Sequence, residues 1–167
     1  MKRMGLGAAK RLRSSREIGW REHVGLPDLG VASVRAKIDT GARTSALHAA
    51  EIERFERDGV TWVRFAPLTG RKREQRCEAP IIHHRHIKNT GGSSEERPII
   101  ETTLVLGRFR WVIEVSLTNR DNMEFDLIVG RTAVRRHRLV VNPGRSYIAG
   151  LPLGPAGAEP ASKLRAG

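Results

Sequence analysis

The stretch VASVRAKIDTGA at residues 31–42 decides the fold that the sequence predicts. Through residues 31–38 apolar and polar side chains alternate, which is the period-2 pattern of a half-buried β-strand. The alternating apolar residues are Ala32, Val34, Ala36 and Ile38. Directly after this strand come Asp39, Thr40 and Gly41, where glycine permits a tight turn and the threonine hydroxyl can bond to neighbouring backbone. A carboxylate so placed lies at the mouth of a barrel, and these residues form the candidate catalytic loop.

A second apolar run, LIVG at residues 127–130, is followed directly by Arg131. Its length and composition predict a short buried strand over residues 125–129. Residues 131–138 are the one segment of the patterned region that predicts a helix, and residues 139–141 return to a strand pattern. The sequence therefore places a strand, a Gly-Arg pair and a short helix in succession.

Two turn signals divide the other patterned segments. An Asp58-Gly59 pair and a Gly107-Arg108 pair each separate two strand-like runs, which predicts two β-hairpins. The predicted hairpins pair residues 51–57 with 60–65 and residues 99–106 with 109–117. Many short strands with close-set turns and one short helix predict a mostly β fold, a small barrel rather than a parallel α/β sheet.

The composition predicts three regions in the chain of 167 residues. Residues 1–16 form a basic arm, residues 17–150 one folded domain, and residues 151–167 a tail rich in Pro, Gly and Ala. Within the domain, residues 67–97 interrupt the strand pattern. We expect a long loop excursion there, with a central hairpin at about residues 80–87; such excursions are often lids or binding loops.

The net charge of +12 and a pI near 11.2 favour an anionic partner. No apolar run approaches the roughly 20 residues that span a bilayer, so a membrane protein is not expected. The basic N-terminus lacks the apolar segment of a secretory signal. A single cysteine, Cys77, agrees with a reducing compartment, and a cytoplasmic location is expected.

Two motifs together resemble the retropepsin-like aspartic peptidases. They are Asp39-Thr40-Gly41-Ala42 and Ile128-Val129-Gly130-Arg131. The longer stretches GWREHVGLPDLG (19–30) and AKIDTGARTSALHA (36–49) look more narrowly like the bacterial RimB-type peptidases, formerly labelled "ATP-dependent zinc protease". The resemblance covers residues 18–145. It implies a small closed acid-protease barrel.

The resemblance also implies a mechanism. Retropepsins are homodimers in which each chain contributes one Asp-Thr-Gly loop, and the two aspartates activate a water molecule without metal or cofactor. Because this sequence has a single such tripeptide, Asp39 would need a second copy of the chain. By the same resemblance Thr40 would interlock the two loops, while Ala42, Gly130 and Arg131 would support the loop.

One residue departs from the retropepsin pattern. Viral retropepsins usually carry an acidic residue after the loop, whereas this chain has Arg43. RimB-type peptidases are associated with trimming oligoglutamate tails from a ribosomal protein, and a cationic cleft suits such a substrate because guanidinium groups bind carboxylates bidentately. The candidate substrate-binding residues are Arg43, Arg71, Lys72, Arg73 and Arg85.

Two other functions stay open at this stage. His83, His84 and His86 could bind Zn²⁺ in a zinc-dependent hydrolase, although their spacing matches no common zinc site. On a strand His84 and His86 would share one face, with His83 on the other. The high pI also fits a non-enzymatic module that binds RNA or the ribosome, although no nucleic-acid-binding motif is present.

Overall fold

The computed structural model describes residues 16–88, 91–120, 122–154 and 159–160. Twelve strands and two short helical segments occupy these ranges. The strands are β1 (Glu17–Leu26), β2 (Val31–Asp39), β3 (Ser45–Arg57), β4 (Val60–Thr69), β5 (Lys72–Arg73), β6 (Cys77–Pro80), β7 (His83–Lys88), β8 (Ser94–Leu106), β9 (Phe109–Thr118), β10 (Leu127–Gly130), β11 (Val140–Ser146) and β12 (Glu159–Pro160). A 3₁₀ turn (Pro27–Leu29) joins β1 to β2, and the α-helix α1 spans Arg131–Arg136.

Six of these strands close into a barrel. The hydrogen-bonded order runs β9-β8-β1-β2-β10-β3, and β3 pairs with β9 to complete the ring. Strand β10 lies parallel to β2, and β3 lies parallel to β9. The prediction of a mostly β, small closed barrel with one short helix is confirmed.

The core fills the inside of this ring. Side chains from all six barrel strands pack there, among them Val24, Leu47, Leu104, Val115 and Leu127. Each is inaccessible to solvent, as the inward positions of a small barrel must be.

The alternation predicted for β2 holds from Val34 to Ile38, where Val34, Ala36 and Ile38 are buried. At the start of the strand the prediction is wrong, because Ala32 is exposed and Val31 is buried. The pairing between β1 and β2 shifts register at this point, so that Leu26 lies opposite Val31. A shift of one residue exchanges the two faces of a strand.

Both predicted hairpins are confirmed. Arg57 pairs with Val60 across the turn, and both central residues have positive φ, 51° at Asp58 and 76° at Gly59. A two-residue turn of this kind matches the twist of the flanking strands. The second hairpin joins Leu106 to Phe109 around Gly107.

The predicted loop excursion at residues 67–97 is instead largely strand. Strand β4 continues to Thr69, three short strands follow, and β8 begins at Ser94. The hairpin expected at about residues 80–87 is also wrong, since β6 pairs with β4 and β7 pairs with β8. The two residues that connect β6 to β7 explain this. The Ile81 N–H donates to the Thr61 carbonyl and the Ile82 N–H to the Ile99 carbonyl, so the chain crosses from one long strand to another.

The predicted helix at residues 131–138 is shorter than expected. Helix α1 ends at Arg136, and Arg138 adopts a φ of 54°, which a continuing helix does not allow. The following strand, β11, runs parallel to β1 over residues 140–142. The strand predicted at 125–129 begins two residues later, at Leu127.

The predicted terminal regions are described only in part. Residues 1–15 of the expected arm lie outside the described residues, as do residues 155–158 and 161–167 of the expected tail. The described part of the tail contacts the barrel: the Leu153 N–H donates to the Gly107 carbonyl, and β12 pairs with β9.

Candidate active site

The loop after β2 holds the Asp39 carboxylate in one direction. Asp39 is the last residue of β2, and Gly130 of the parallel strand β10 lies opposite it. Its Oδ1 accepts the N–H of Gly41 at 3.0 Å and the N–H of Ala42 at 3.2 Å. A Cβ at position 41 would lie 3.2 Å from this same oxygen, which explains why a glycine occupies the turn. The half-buried carboxylate is thereby oriented by two backbone donors.

The Gly130-Arg131 pair supports this loop from behind. A Cβ at position 130 would lie 2.7 Å from the carbonyl carbon of Thr44 and 2.9 Å from the nitrogen of Ser45. Only glycine therefore allows β10 to approach the loop this closely. The Gly130 N–H donates to Ser45 Oγ at 3.0 Å.

Arg131 supports the loop through two backbone carbonyls. Arg131 Nη1 donates to the Gly41 carbonyl at 2.9 Å, and the Arg131 N–H donates to the Ala42 carbonyl at 2.8 Å. Thr132 adds a further hydrogen bond to the loop, because its hydroxyl donates to the Arg43 carbonyl at 2.8 Å. The first two residues of α1 thus fix the loop from Gly41 to Arg43.

Thr40 lies at the exposed tip of the loop. Within the described residues its side chain makes no hydrogen bond in the single chain. Its side chain is accessible for the interlocking contact that the retropepsin resemblance implies.

Two of the five predicted substrate-binding residues meet at one cavity. Arg43 and Arg85 line a cavity of about 330 Å³ between the loop, α1 and the outer faces of β7, β8 and β9. Arg85 Nη1 donates to Thr44 Oγ1 at 2.9 Å, which links β7 to the loop. A third arginine, Arg136 of α1, lines the same cavity. Sequence reasoning missed Arg136, because only the packing of α1 brings it near Arg43.

The other three predicted residues lie in β5 and the turn before it, and they do not line this cavity. Lys72 pairs with Glu74 at 3.3 Å, and Arg73 pairs with Glu51. Arg71, at the turn itself, is exposed. The structure thus separates these cations from Arg43 and Arg85.

The predicted histidine cluster is divided by strand geometry. His83 Nε2 lies 3.4 Å from Glu114, whereas His84 Nδ1 lies 3.0 Å from Glu96. These two histidines point to opposite faces, as expected for neighbours in a strand. In the ranges that the structure describes, no group of three or more His, Cys, Asp or Glu side chains could hold a metal ion.

Burial raises the pKa of the Cys77 thiol, and the charge of Glu74 adds to this effect. Its Sγ contacts the carbonyl oxygens of Leu29 and Gln75, each at 3.4 Å. A thiol with a raised pKa is a poor nucleophile at neutral pH. This agrees with a structural rather than a catalytic cysteine.

A half-buried polar unit beside the barrel was not predicted from the sequence. Asp126 accepts a hydrogen bond from the Gly70 N–H at 2.6 Å, and its other oxygen lies 3.0 Å from His48 Nδ1. The Asp126 carbonyl accepts the His48 N–H at 2.7 Å. Asp126 thereby connects β3, the turn after β4, and the segment before β10.

A closed six-stranded barrel that presents a braced Asp-Thr-Gly loop defines the retropepsin-like class. The chain belongs to the RimB-like family, whose model, described as "Retropepsin-like aspartic endopeptidase RimB", matches residues 17–152. A solved structure supports the fold. A protein of unknown function from Legionella pneumophila aligns with a TM-score of 0.70 and 28% identity, over 81% of this chain and 99% of that one.

Curated relatives carry a different name. A probable alpha-L-glutamate ligase of Desulfotalea psychrophila is 43% identical over 129 residues, which cover 75% of this chain and 28% of that protein. A probable alpha-L-glutamate ligase of Shewanella pealeana is 40% identical over 136 residues, covering 80% of this chain and 30% of that protein. The chain therefore spans less than a third of the length of these relatives.

Among the described residues, no helix has the length and apolar character needed to cross a membrane.

Proposed function

We propose that this chain is an aspartic peptidase that hydrolyses amide bonds in an acidic, glutamate-rich peptide. The observation that carries the proposal is the orientation of the Asp39 carboxylate by two backbone N–H groups. Such an orientation serves catalysis, because it fixes the direction of the free carboxylate oxygen before substrate arrives.

The reaction requires a second copy of the chain. The sequence contains one Asp-Thr-Gly tripeptide, so a dyad forms when two Asp39 side chains face each other across a homodimer. Two carboxylates held close cannot both ionise at low cost, and the pair shares one proton. The ionised aspartate takes a proton from water as the oxygen attacks the carbonyl carbon. The protonated aspartate gives its proton to the carbonyl oxygen, which leaves a gem-diol. On collapse, the first aspartate passes the proton that it took from water to the departing nitrogen, and the second takes a proton back from the diol. The acid and the amine leave, and the dyad is restored.

Three observations support an acidic substrate. The chain carries a net charge of +12, Arg43 lies four residues from the catalytic aspartate, and Arg85 reaches the same loop. The relatives named as probable glutamate ligases carry a region similar to this chain beside a much longer remainder. We infer that the substrate is an oligoglutamate tail, and that a ribosomal protein bears it. This substrate would place the reaction in the cytoplasm.

Cleavage of a peptide bearing an oligoglutamate tail tests this function, with and without EDTA. Wild-type protein is expected to cleave the peptide whether or not EDTA is present. Asp39→Asn is expected to lower kcat by at least about 10³-fold, because it removes the acid-base pair. Asp58→Asn makes the same chemical change at an exposed hairpin turn and serves as the control, since asparagine tolerates positive φ.

Two results would contradict the proposal. If EDTA abolishes cleavage while Asp39→Asn retains it, a zinc-dependent hydrolase is the better account. If neither protein cleaves the peptide but both bind RNA with steep salt dependence, a nucleic-acid-binding module is favoured.

A further inference from the structure

Arg43, Arg85 and Arg136 line one cavity, which we call the arginine cavity. Its volume of about 330 Å³ falls within the range of small-ligand pockets, about 300–1,000 Å³. Its position links it to the catalytic loop, because Arg43 follows Ala42 directly. A group bound there lies beside the loop that carries Asp39.

The three guanidinium groups differ in their partners. Arg85 is held by Thr44 and lies 3.8 Å from Glu114. Arg43 and Arg136 are exposed, and within the described residues neither guanidinium has a hydrogen bond or an ion pair. Arginines that line a concave site without a partner are available to bind an anion from solution.

The positions of Arg43 and Arg136 are set by the backbone. Thr132 donates to the Arg43 carbonyl through its N–H at 3.3 Å and through its hydroxyl at 2.8 Å. Arg136 follows Thr132 by one turn of α1, so both side chains lie on one face of the helix. The wall formed by the loop and α1 therefore carries two unpaired positive charges on a rigid frame.

The opposite wall is acidic. Glu101 of β8 and Glu114 of β9 lie directly across from each other in the sheet, and both line the cavity. Glu114 is within ion-pair distance of Arg85 and His83. Glu101 has no partner within the described residues and repels an approaching carboxylate. An anion is therefore favoured on the wall of Arg43 and Arg136.

We propose that the arginine cavity is a specificity subsite that binds the side-chain carboxylate of a substrate residue, with Arg43 and Arg136 as its ligands. The inference rests on the proposed function and deepens it, because it assigns the preference for acidic peptides to one place on the chain. Arg85 positions the cavity wall, and Glu101 limits the subsite to a single carboxylate.

Binding and cleavage of two matched peptides test the subsite. One peptide ends in six glutamates, and the other replaces them with six glutamines. Wild-type protein should cleave the glutamate peptide with a kcat/KM at least about tenfold higher than that for the glutamine peptide. A hydrogen bond to a charged group contributes enough binding free energy for a factor of this size. Arg136→Gln should remove most of that preference by raising KM, while Arg135→Gln, one residue away and outside the cavity lining, should retain it.

A second variant tests the acidic wall of the cavity. Glu101→Gln removes the repelling carboxylate and should lower KM for the glutamate peptide by a few-fold at constant kcat. If Arg136→Gln and Arg135→Gln behave alike while wild-type protein still prefers the glutamate peptide, the subsite is wrong and the proposed function stands. If wild-type protein cleaves both peptides equally, the subsite and the acidic substrate of the proposed function are both wrong, and only the peptidase activity stands.

A binding measurement keeps the subsite testable without turnover. Fluorescence anisotropy of the labelled peptides on the Asp39→Asn background reports affinity alone. The subsite is supported, even if no peptide is cleaved, when the Asp39→Asn protein binds the glutamate peptide more tightly than the glutamine peptide and the added Arg136→Gln change abolishes this difference. Equal binding of the two peptides overturns it. Thermal unfolding of each variant shows that the fold is intact.

Discussion

At the residue scale, the position of Gly130 is the most demanding feature of the loop support. A methyl group there would lie within 3 Å of the Thr44 and Ser45 backbone, which is anchored by hydrogen bonds and cannot move freely. Gly130→Ala should therefore lower the free energy of unfolding by about 1–3 kcal/mol and displace the Asp39 loop, which under the proposed function reduces kcat. Urea unfolding and peptide cleavage measure the two effects.

Gly144→Ala is the matched control for this change. A Cβ at position 144 meets its nearest neighbour, Asn142 Oδ1, at 3.4 Å, which is an ordinary contact. The control should leave both stability and kcat close to wild type. A Gly130→Ala protein as stable and active as the control would show that close approach of β10 does not matter.

The loop residues were predictable because their signal is local. Asp39, Gly41 and Gly130 stand in short motifs next to strands that the hydrophobic pattern predicts, and the structure places them together. The hydrogen-bond partner of the Arg131 side chain was not predictable. It is the backbone carbonyl of Gly41, and not an acidic side chain of the kind that viral retropepsins usually carry after the loop. Arg136 was missed for a similar reason. The sequence of a short helix does not indicate which cavity its charged side chains will line.

At the scale of elements, Asp126 connects segments that are distant in sequence. Asp126→Ala removes the acceptor of the Gly70 N–H and the partner of His48 Nδ1. Because the half-buried His48 ring is left without a partner and the Gly70 N–H loses its acceptor, the change should cost about 1–3 kcal/mol of stability, which urea unfolding measures. Glu124→Ala removes an exposed carboxylate from the same segment as a control and should change stability by less than about 0.5 kcal/mol. Equal effects of the two changes would contradict the connecting role.

Hairpins were predicted well and longer-range pairings were not. The pairs Asp58-Gly59 and Gly107-Arg108 mark turns between adjacent strands, so the sequence carries both partners within a few residues. Strands β6 and β7 instead pair with β4 and β8, and no local signal specifies those partners. The basic and histidine-rich composition of residues 71–86 also hid their strand character, since β-propensity depends on the sheet that a segment joins.

At the scale of the whole molecule, barrel closure depends on the pairing of β3 with β9, which joins Ser45–His48 to Val115–Thr118. The small barrel was predicted from the number of strands and turns, whereas this parallel closure had no signal in the sequence. Closure places the Asp39 loop, α1 and strand β7 on one side of the molecule. It thereby brings Arg43, Arg85 and Arg136 together. The proposed dyad takes its second Asp39 from another copy of the chain.

The requirement for two copies of Asp39 is tested most directly by mixing subunits. Wild-type and Asp39→Asn chains are unfolded together, refolded at fixed total concentration, and assayed for cleavage of the oligoglutamate peptide. Mixing wild type with Asp58→Asn provides the control. If each site needs two Asp39 carboxylates, activity falls as the square of the wild-type fraction, to about a quarter at an equal mixture. A fall in simple proportion, to about a half, would show that each chain works with its own Asp39 alone, and a fall to only about three quarters would show that one Asp39 suffices for a shared site. Either result would contradict the shared dyad.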